Sequence, residues 1–359
     1  MLLLNPGPVT LSERVRNSLL QTDLCHREPE FFDLQDEARA RLLAVYDLDP
    51  RQWAAVLLTG SGTAAVESMI ASLVPGAGRL LIVENGIYGE RISQIATRYR
   101  IDHAVLTHDW LDAPDIGAIA ARLDAPDGPA FTHLAVVHHE TTTGRLNDLA
   151  PLTAACRQRG IGLLVDGVSS FGAEAIDFAG GGIDAVAATA NKCLHGVPGA
   201  AFVIVRRAAL ERGEARAYYL DLMRLAALQE ERNTPFTPSV HAYYALVEAL
   251  RELHDAGGWR LRHEHYRALA DQLADGLAAL DIGRLLPAAE SSVVLRSYYL
   301  PHGISYPALH DALKRAGFVI YAGQSNLAAT IFRISTMGAI GADDITRLIE
   351  AIGVVCGRG

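Results

Sequence analysis

The chain has 359 residues, half of them apolar and a fifth charged, and its formal net charge is −9. This composition excludes a disordered chain, and because the basic residues form no stripe it gives no sign of a nucleic-acid partner. The N-terminus lacks a basic signal-peptide region, no apolar run reaches the length of a membrane span, and the four cysteines lack disulfide or zinc-site spacing, so we expect a cytoplasmic protein with reduced thiols.

Short apolar runs alternate with helical periodicity between residues 53 and 207. Stretches such as 62–74 and 148–159 carry apolar residues at steps of three and four, which predicts helices. The alternation predicts an α/β fold with a mostly parallel sheet covered on both faces, and ligand sites at the carboxyl ends of its strands. The seven predicted strands are 53–59, 79–84, 103–107, 134–139, 162–166, 184–189 and 201–206.

The pattern changes after residue 240. From 241 to 281 it is helical, with a break at Gly257-Gly258, and the remainder predicts a smaller α+β domain. We expect a large domain at 15–245, and a small domain formed by 1–14 and 246–359 together with the connecting helix. The elements predicted for the last part are strands at 291–300, 318–322 and 331–336 and helices at 306–316 and 342–353.

Gly60-Ser61-Gly62-Thr63 follows the first of these strands and opens a helical pattern. Free backbone N–H groups, the helix dipole and two hydroxyls would suit a phosphate, although glycine and serine also cap helices. The segment lacks the GxGxxG pattern of a dinucleotide fold, which argues against an oxidoreductase that uses a nicotinamide cofactor.

Asp166 ends the predicted strand 162–166, and Lys192 lies 26 residues later, just after the next predicted strand at 184–189. Both side chains could therefore reach the same pocket. The chain contains only two lysines, and the other, Lys314, lies on the polar face of a predicted helix. Asp166 is suited to pair with a protonated pyridine nitrogen, or else it caps the following turn. Lys192, flanked by small and apolar residues, is suited to amine chemistry through a covalent imine, whereas arginine is not.

Arg333 lies inside the apolar run Ile331-Phe332-Arg333-Ile334. A buried guanidinium requires an anionic partner. The partner is either the carboxylate of a substrate, held by two parallel hydrogen bonds, or an acidic residue of the protein in a structural ion pair.

In combination, these residues lie in motifs typical of one family. The motifs are Asn-Pro-Gly-Pro at 5–8, Gly-Ser-Gly-Thr at 60–63, Asn-Gly-Ile-Tyr-Gly at 85–89, His-Glu-Thr-Thr-Thr-Gly at 139–144, Val-Asp-Gly-Val-Ser-Ser-Phe-Gly at 165–172, Asn-Lys-Cys-Leu-His-Gly-Val-Pro-Gly at 191–199 and Phe-Arg-Ile-Ser-Thr-Met-Gly at 332–338. With them the chain resembles, over nearly its whole length, the class-V aminotransferases of fold type I. The resemblance implies pyridoxal 5′-phosphate as cofactor and transfer of an amino group from 2-aminoethylphosphonate to pyruvate. An enzyme of the alanine–glyoxylate or serine–pyruvate type is the alternative.

By this resemblance Lys192 is the Schiff-base lysine and the proton shuttle, and Asp166 holds the pyridinium nitrogen. Val168 and Tyr88 would pack on the two ring faces. The residues implied for the phosphate are Ser61, Gly62 and Thr63, joined by Thr237 from the other subunit of a homodimer with shared sites.

The resemblance also implies the remaining contacts. Thr142 or its neighbour Thr141 would hydrogen-bond near the phenolate oxygen, and Arg333 with the backbone of Gly7 would hold the carboxylate of alanine or pyruvate. Arg27 is expected to contact the phosphonate or the cofactor, or else to form a surface ion pair with Glu28 or Glu30.

One loop departs from the family pattern, because Tyr321-Ala322-Gly323-Gln324 stands where many members have Tyr-Pro-Gly-Lys. A lysine lost here removes a positive charge near the substrate entrance. Two further rivals are a cysteine desulfurase and a non-catalytic binding protein of the same fold. The desulfurase would need a nucleophilic cysteine near the small-domain loop, but 317–337 contains none and Cys193 is poorly positioned for that role.

Overall fold

A computed structural model describes residues 1–125 and 128–358 of the chain. The strands are β1 (Leu2–Leu3), β2 (Trp53–Gly60), β3 (Arg79–Glu84), β4 (Asp102–Thr107), β5 (His133–Val137), β6 (His139–Glu140), β7 (Arg145–Leu146), β8 (Gly162–Asp166), β9 (Ile183–Thr189), β10 (Gly199–Arg206), β11 (Leu295–Tyr299), β12 (Phe318–Val319), β13 (Tyr321–Ala322) and β14 (Ile331–Ser335). The helices are α1 (Glu13–Ser18), α2 (Pro29–Ala44), α3 (Gly62–Leu73), α4 (Ile87–Arg98), α5 (Ile116–Leu123), α6 (Leu149–Arg159), α7 (Arg207–Arg212), α8 (Leu222–Glu230), α9 (Val240–Asp255), α10 (Gly258–Ala279), α11 (Tyr306–Arg315) and α12 (Ala342–Val355).

The seven strands predicted between residues 53 and 206 form one sheet, in the order β2-β10-β9-β8-β5-β3-β4. The strands β9, β8, β5, β3 and β4 are parallel to one another, whereas β10 is antiparallel to both β2 and β9. The prediction of a mostly parallel sheet is therefore confirmed.

Alternate residues of each strand enter two separate apolar cores, one on each face of the sheet. In β8, Leu163 and Val165 pack with α2, α5, α6 and α9, while Leu164 between them packs on the opposite face with α3, α4 and α8. Side chains of successive strand residues point to opposite faces, and a sheet buried on both faces therefore has strands that are apolar throughout. The continuous apolar runs in the sequence reflect this double burial.

Local signals define the ends of the connecting helices. In α6, the Asp148 side chain accepts a hydrogen bond from the Ala150 N–H, which satisfies one free donor at the helix start. The helix ends at Gly160, whose φ of 65° lies in the left-handed region that favours glycine. Helix α6 returns the chain to the start of β8, and β8 ends at Asp166.

The C-terminal part contains a three-stranded antiparallel sheet, β11-β14-β13, packed against α10, α11 and α12. The prediction of a single strand at 318–322 is wrong, because the chain changes partner at the buried Ile320. Strand β12 pairs with the N-terminal β1, while β13 pairs with β14. The proposed division between a large domain at 15–245 and a small domain stays a prediction.

None of the helices in the described ranges, 1–125 and 128–358, combines the length and apolarity that crossing a membrane would require.

Candidate active site

Loops at one edge of the large sheet carry the predicted functional residues. Gly60, Glu84, Val137, Asp166 and Thr189 are the last residues of β2, β3, β5, β8 and β9. Because those strands run in the same direction, the loops that follow them share the carboxyl edge of the sheet. Every motif selected in this region follows one of these five strand ends, as predicted.

Asp166 is buried at the end of β8, where its Oδ1 atom accepts a hydrogen bond of 2.9 Å from the Val168 N–H. Burial raises the pKa of Asp166 to about 6, although the Val168 N–H and the positive charges of Arg91 and Lys192 act in the opposite direction. A cationic ring nitrogen would therefore stabilise the charged form of this carboxylate.

Lys192 follows β9, which is the neighbour of β8 in the sheet, and its amine donates a hydrogen bond to the Pro6 carbonyl. Burial lowers the pKa of Lys192 to about 8, while Asp166 raises it and Arg333 lowers it. The side chains of Lys192 and Asp166 thus interact electrostatically. A lysine with a depressed pKa is a better nucleophile near neutral pH.

Gly7 packs directly on the Lys192 side chain. A Cβ atom at position 7 would lie 2.7 Å from the Lys192 Nζ and 2.9 Å from its Cε, and the φ of Gly7 is 131°. Replacement of Gly7 by alanine is therefore expected to displace the amine and lower kcat/KM by about 10²-fold. Gly303→Ala is the matched control, because Gly303 also has a positive φ of 75° but no neighbour within 4 Å. Equal activity losses in the two variants would contradict the prediction.

The pKa of Lys192 can be measured directly, because Lys314→Arg leaves a single lysine in the chain. In the apoprotein of this variant, we expect acetylation of Lys192, followed by peptide mass spectrometry, to reach half its maximal rate near pH 8. Addition of Asp166→Asn should move that midpoint down, because a negative charge is removed. Addition of Arg333→Met should move it up, and a midpoint near the ordinary lysine value in all three proteins would contradict the prediction.

The residues predicted to bind a phosphate lie at the start of α3. Ser61 is the exposed N-cap residue, and its hydroxyl makes no capping bond, so it remains available to a ligand. Gly62 is required by packing, since a Cβ atom there would lie 2.7 Å from Val168 Cγ1. Arg91 donates a hydrogen bond of 3.0 Å to the Thr63 hydroxyl, and this adds a cation to the helix N-terminus.

Tyr88 lies in the first turn of α4 and lines the same small cavity as Asp166, Val168 and Arg91. The Arg91 guanidinium carbon lies 4.7 Å from the centre of the Tyr88 ring, a cation–π contact between residues three positions apart on one helix face. Both residues that were predicted to cover the ring faces of the cofactor, Tyr88 and Val168, therefore border one cavity.

His139 presents an unsatisfied acceptor to this cavity. Its Nδ1 atom lies 2.9 Å from the Ser169 carbonyl, which can only accept, so Nδ1 carries the proton. Burial lowers the pKa of His139 to about 4, so the ring is neutral, and its buried Nε2 has no partner among residues 1–125 and 128–358. A buried acceptor of this kind requires a donor supplied from outside the chain.

Pyridoxal phosphate fits this arrangement. The anion seat at α3, the carboxylate of Asp166, the apolar and aromatic walls and the amine of Lys192 match its phosphate, ring nitrogen, ring faces and aldehyde.

Thr142 is buried, and its hydroxyl is already engaged with protein groups. It donates a hydrogen bond of 2.5 Å to Glu140 and accepts one of 3.1 Å from the Ile87 N–H. The neighbouring Thr141 has its carbonyl bonded to Arg333. The sequence left the choice between Thr142 and Thr141 open, and the role of either residue at the phenolate oxygen stays a prediction.

Arg333 is buried in β14, and three of its hydrogen bonds go to uncharged acceptors. These are the Ala322 carbonyl at 2.8 Å, the Thr141 carbonyl at 2.7 Å and the Gln324 amide oxygen at 3.1 Å. Within residues 1–125 and 128–358 it has no acidic partner at ion-pair distance, which removes the structural ion pair considered as the alternative. A buried guanidinium without a carboxylate is suited to an anionic substrate. Gln324, at the position of the family lysine, orients this guanidinium instead of repelling it.

Arg27 contacts the segment that leads to Thr237, and Thr237 lines a small cavity with Thr59 near the end of β2. Arg27 donates hydrogen bonds to the Asn233 side chain at 2.8 Å and to the Thr234 carbonyl at 2.6 Å. Its alternative, an ion pair with Glu28 or Glu30, is absent among the described residues. Thr237 is exposed three positions after Thr234. Contacts of Arg27 and Thr237 with cofactor or substrate stay predictions.

Cys193 cannot serve as the nucleophile of a desulfurase in this structure. It is fully buried, its thiol contacts the Ser169 carbonyl, and burial raises its pKa to about 12. The thiolate is the nucleophilic form of cysteine, so a thiol held protonated in the core is inert.

Four groups near the site were not selected from the sequence, namely Arg91, His139, Glu140 and the carbonyl of Pro6. The position of Arg91 three residues after Tyr88 was a usable signal, because such residues share a helix face. His139 and Glu140 follow an apolar strand within a recognised motif, where polar side chains at a strand end indicate a site. The Pro6 carbonyl left no signal, since any residue supplies one.

Comparison with known proteins gives a consistent result. The family model for class-V aminotransferases matches residues 17–348 of the chain. The chain is 37% identical over 357 residues to 2-aminoethylphosphonate–pyruvate transaminase from Vibrio cholerae, covering 98% of this chain and 96% of that protein. It is 39% identical over 364 residues to 2-aminoethylphosphonate–pyruvate transaminase from Aeromonas hydrophila, covering 99% and 95%.

Solved structures of aminotransferases share the fold along the whole chain. Alanine–glyoxylate aminotransferase from Nostoc sp. superposes with a TM-score of 0.91 at 28% identity, covering 99% of this chain and 94% of that one. Aspartate aminotransferase from Thermus thermophilus superposes with a TM-score of 0.90 at 27% identity, covering 99% of both chains.

Proposed function

Because this chain belongs to the class-V aminotransferase family, we propose that it transfers the amino group of 2-aminoethylphosphonate to pyruvate, giving phosphonoacetaldehyde and alanine, or catalyses the reverse reaction. The observation that carries the proposal is the joint presence of Lys192, Asp166 and a buried Arg333 without an acidic partner among the described residues. The relatives named for this reaction, 37% and 39% identical over almost the whole chain, support the choice of substrates.

The enzyme is a transaminase that depends on pyridoxal 5′-phosphate. When bound, this cofactor supplies an electron-poor ring that stabilises negative charge at the carbon bearing the amino group. In our proposal the Lys192 amine would hold the cofactor and would move the proton at the carbon that bears the amino group. The Asp166 carboxylate would favour the protonated ring nitrogen by holding a negative charge beside it.

The remaining residues position the reactants. Val168 and Tyr88 would enclose the ring, while Ser61, Gly62 and Thr63 at the start of α3 would hold the phosphate. The hydroxyl of Thr142, or that of Thr141, would lie near the phenolate oxygen.

Substrate binding is assigned to Arg333 and Gly7. The guanidinium of Arg333 would bind the carboxylate of pyruvate or alanine in one half-reaction and the phosphonate in the other, since both are anions with several acceptor oxygens. The backbone at Gly7 lies against the Lys192 amine, and therefore beside the reacting carbon.

We further propose a homodimer with shared active sites in the cytoplasm. An exposed aromatic cluster next to Thr237 supports the dimer: the Tyr219 and Phe236 rings lie 4.6 Å apart, and Tyr218 is 74% exposed. Large exposed aromatic groups are typical of interfaces. In such a dimer Thr237 would reach the phosphate of the partner's cofactor, and Arg27 would contact the phosphonate or the cofactor. Four free cysteines support a reducing compartment.

Incubation of the purified enzyme with 2-aminoethylphosphonate and pyruvate should produce alanine and phosphonoacetaldehyde in equal amounts. Formation of alanine is measured by chromatography, and a panel of other amines is tested for loss of the cofactor's visible colour. An enzyme that makes no alanine from this pair, but aminates glyoxylate with alanine as donor, would favour the alanine–glyoxylate alternative and retain the class.

A further inference from the structure

The hairpin β6–β7 touches two functional parts of the site at once. Its first strand ends at the buried Glu140, and the residues that follow are Thr141 and Thr142. Glu140 and Thr142 contact the start of α4, the helix that carries Tyr88 and Arg91. Thr141 contacts Arg333 in the C-terminal sheet.

The contacts with α4 involve all three N–H groups at its start. The Glu140 Oε2 atom accepts hydrogen bonds from the Tyr88 N–H at 3.2 Å and from the Gly89 N–H at 3.3 Å. The Thr142 hydroxyl accepts from the Ile87 N–H at 3.1 Å. The first N–H groups of a helix have no partner within the helix, and a carboxylate there is also favoured by the helix dipole.

The other side of the carboxylate is fixed by Thr142. The Glu140 Oε1 atom accepts a hydrogen bond of 2.5 Å from the Thr142 hydroxyl and one of 3.1 Å from the Thr142 N–H. A Cβ atom at Gly86, the residue before α4, would clash with the Cγ and Cδ atoms of Glu140. The carboxylate therefore has one position and can reach it only because residue 86 is glycine.

Thr141 lies between Glu140 and Thr142 in the sequence, and its carbonyl accepts a hydrogen bond of 2.7 Å from the Arg333 Nη1 atom. We propose that Glu140 is a positioning residue that holds the Tyr88 helix and the Arg333 guanidinium in register across the site. The inference rests on the roles proposed above for Tyr88 and Arg333, and it does not depend on which amine is the donor.

The chemistry of the site supports a positioning role. Glu140 is fully buried, and burial raises its pKa to about 7 even though the Thr142 and Gly89 donors act to lower it. A buried carboxyl group of this kind costs stability, and groups with strongly perturbed pKa values cluster at functional sites. Its oxygen atoms are occupied by four protein donors, so it is not available to bind substrate.

The test compares Glu140→Ala, Glu140→Gln and Gly86→Ala with Glu174→Gln as control. Glu174 is also a buried carboxylate. It accepts hydrogen bonds from the Ser292 hydroxyl at 2.5 Å and from the Val293 N–H at 2.9 Å, so these donors belong to the segment before β11 and not to α4. For each variant we would measure the affinity of the apoprotein for pyridoxal 5′-phosphate by visible absorption. We would also measure kcat and the KM for pyruvate.

We expect Glu140→Ala and Gly86→Ala to weaken cofactor binding and raise the KM for pyruvate together, with kcat/KM reduced by about 10²-fold. Glu140→Gln should recover most of both, because the amide oxygen still accepts from the N–H groups of α4. Variants that lose only stability, as expected for Glu174→Gln, would overturn the inference. If Glu140→Ala does not fold, Glu140→Gln and Gly86→Ala carry the same comparison.

A wild-type protein that binds the cofactor but makes no alanine from 2-aminoethylphosphonate would contradict the proposed substrate alone. The comparison would then be made with whichever amine bleaches the enzyme, so the two failures are distinguishable.

Discussion

Replacement of Lys192 by alanine is expected to abolish transamination while the fold is retained. The Lys192 amine lies against Gly7 and interacts electrostatically with Asp166. The other lysine of the chain is exposed in α11, so it cannot take the place of Lys192. Loss of proton transfer alone accounts for a decrease of up to about 10⁴-fold. We expect the rate of alanine formation to fall by about this factor. Borohydride treatment of the variant should leave no cofactor attached to the chain.

Lys314→Ala is the matched control, because Lys314 is the other lysine and lies exposed in the last turn of α11. It should retain wild-type activity, and after borohydride treatment mass spectrometry should find the cofactor on the peptide that contains Lys192. Cofactor on Lys314, or a Lys192→Ala variant with substantial activity, would remove the basis of the proposed mechanism.

Replacement of Asp166 by asparagine is expected to lower activity by at least about 10²-fold, the size of effect seen when a single electrostatic contact to a reacting centre is removed. Asparagine keeps the shape and can still accept the Val168 N–H bond, but it cannot hold a negative charge beside the ring nitrogen. The loss should appear in kcat, and the visible spectrum of the bound cofactor should change.

The same substitution should stabilise the apoprotein. The pKa of Asp166 is raised from 3.8 to about 6 in the folded chain, so the unfolded state loses its proton first and folding becomes less favourable as the pH rises through this range. The penalty is absent below about pH 4 and fully present above about pH 6, where it amounts to about 3 kcal/mol. Urea unfolding of both apoproteins measures it. If Asp166→Asn were less stable than the wild type at pH 7.5, the assignment of the carboxylate as a group that costs stability would be wrong.

The positions and types of the main elements were predictable because they depend on local patterns. The continuous apolar run at 162–166 requires a strand buried on both faces, and the helical pattern from 241 to 281 with Gly257-Gly258 inside it corresponds to α9 and α10. The segment Phe318–Ala322 was not predictable in the same way. Its apolar composition fits one strand, but β12 pairs with β1 at the opposite end of the chain.

The sequence alone determined the chemistry available to this protein: one lysine in an apolar setting, an aspartate at a strand end, glycines and hydroxyls at a helix start, and an arginine within a strand. These are properties of residue type and local pattern. Only the tertiary structure decided which atoms meet. The Lys192 amine reaches the carbonyl of a residue 186 positions away, and Arg333 reaches one 192 positions away. Contacts over such separations follow from how the large sheet and the C-terminal sheet pack together. No local pattern therefore indicates that Arg333 has no acidic partner among the described residues, or that Glu140 accepts hydrogen bonds from the start of α4.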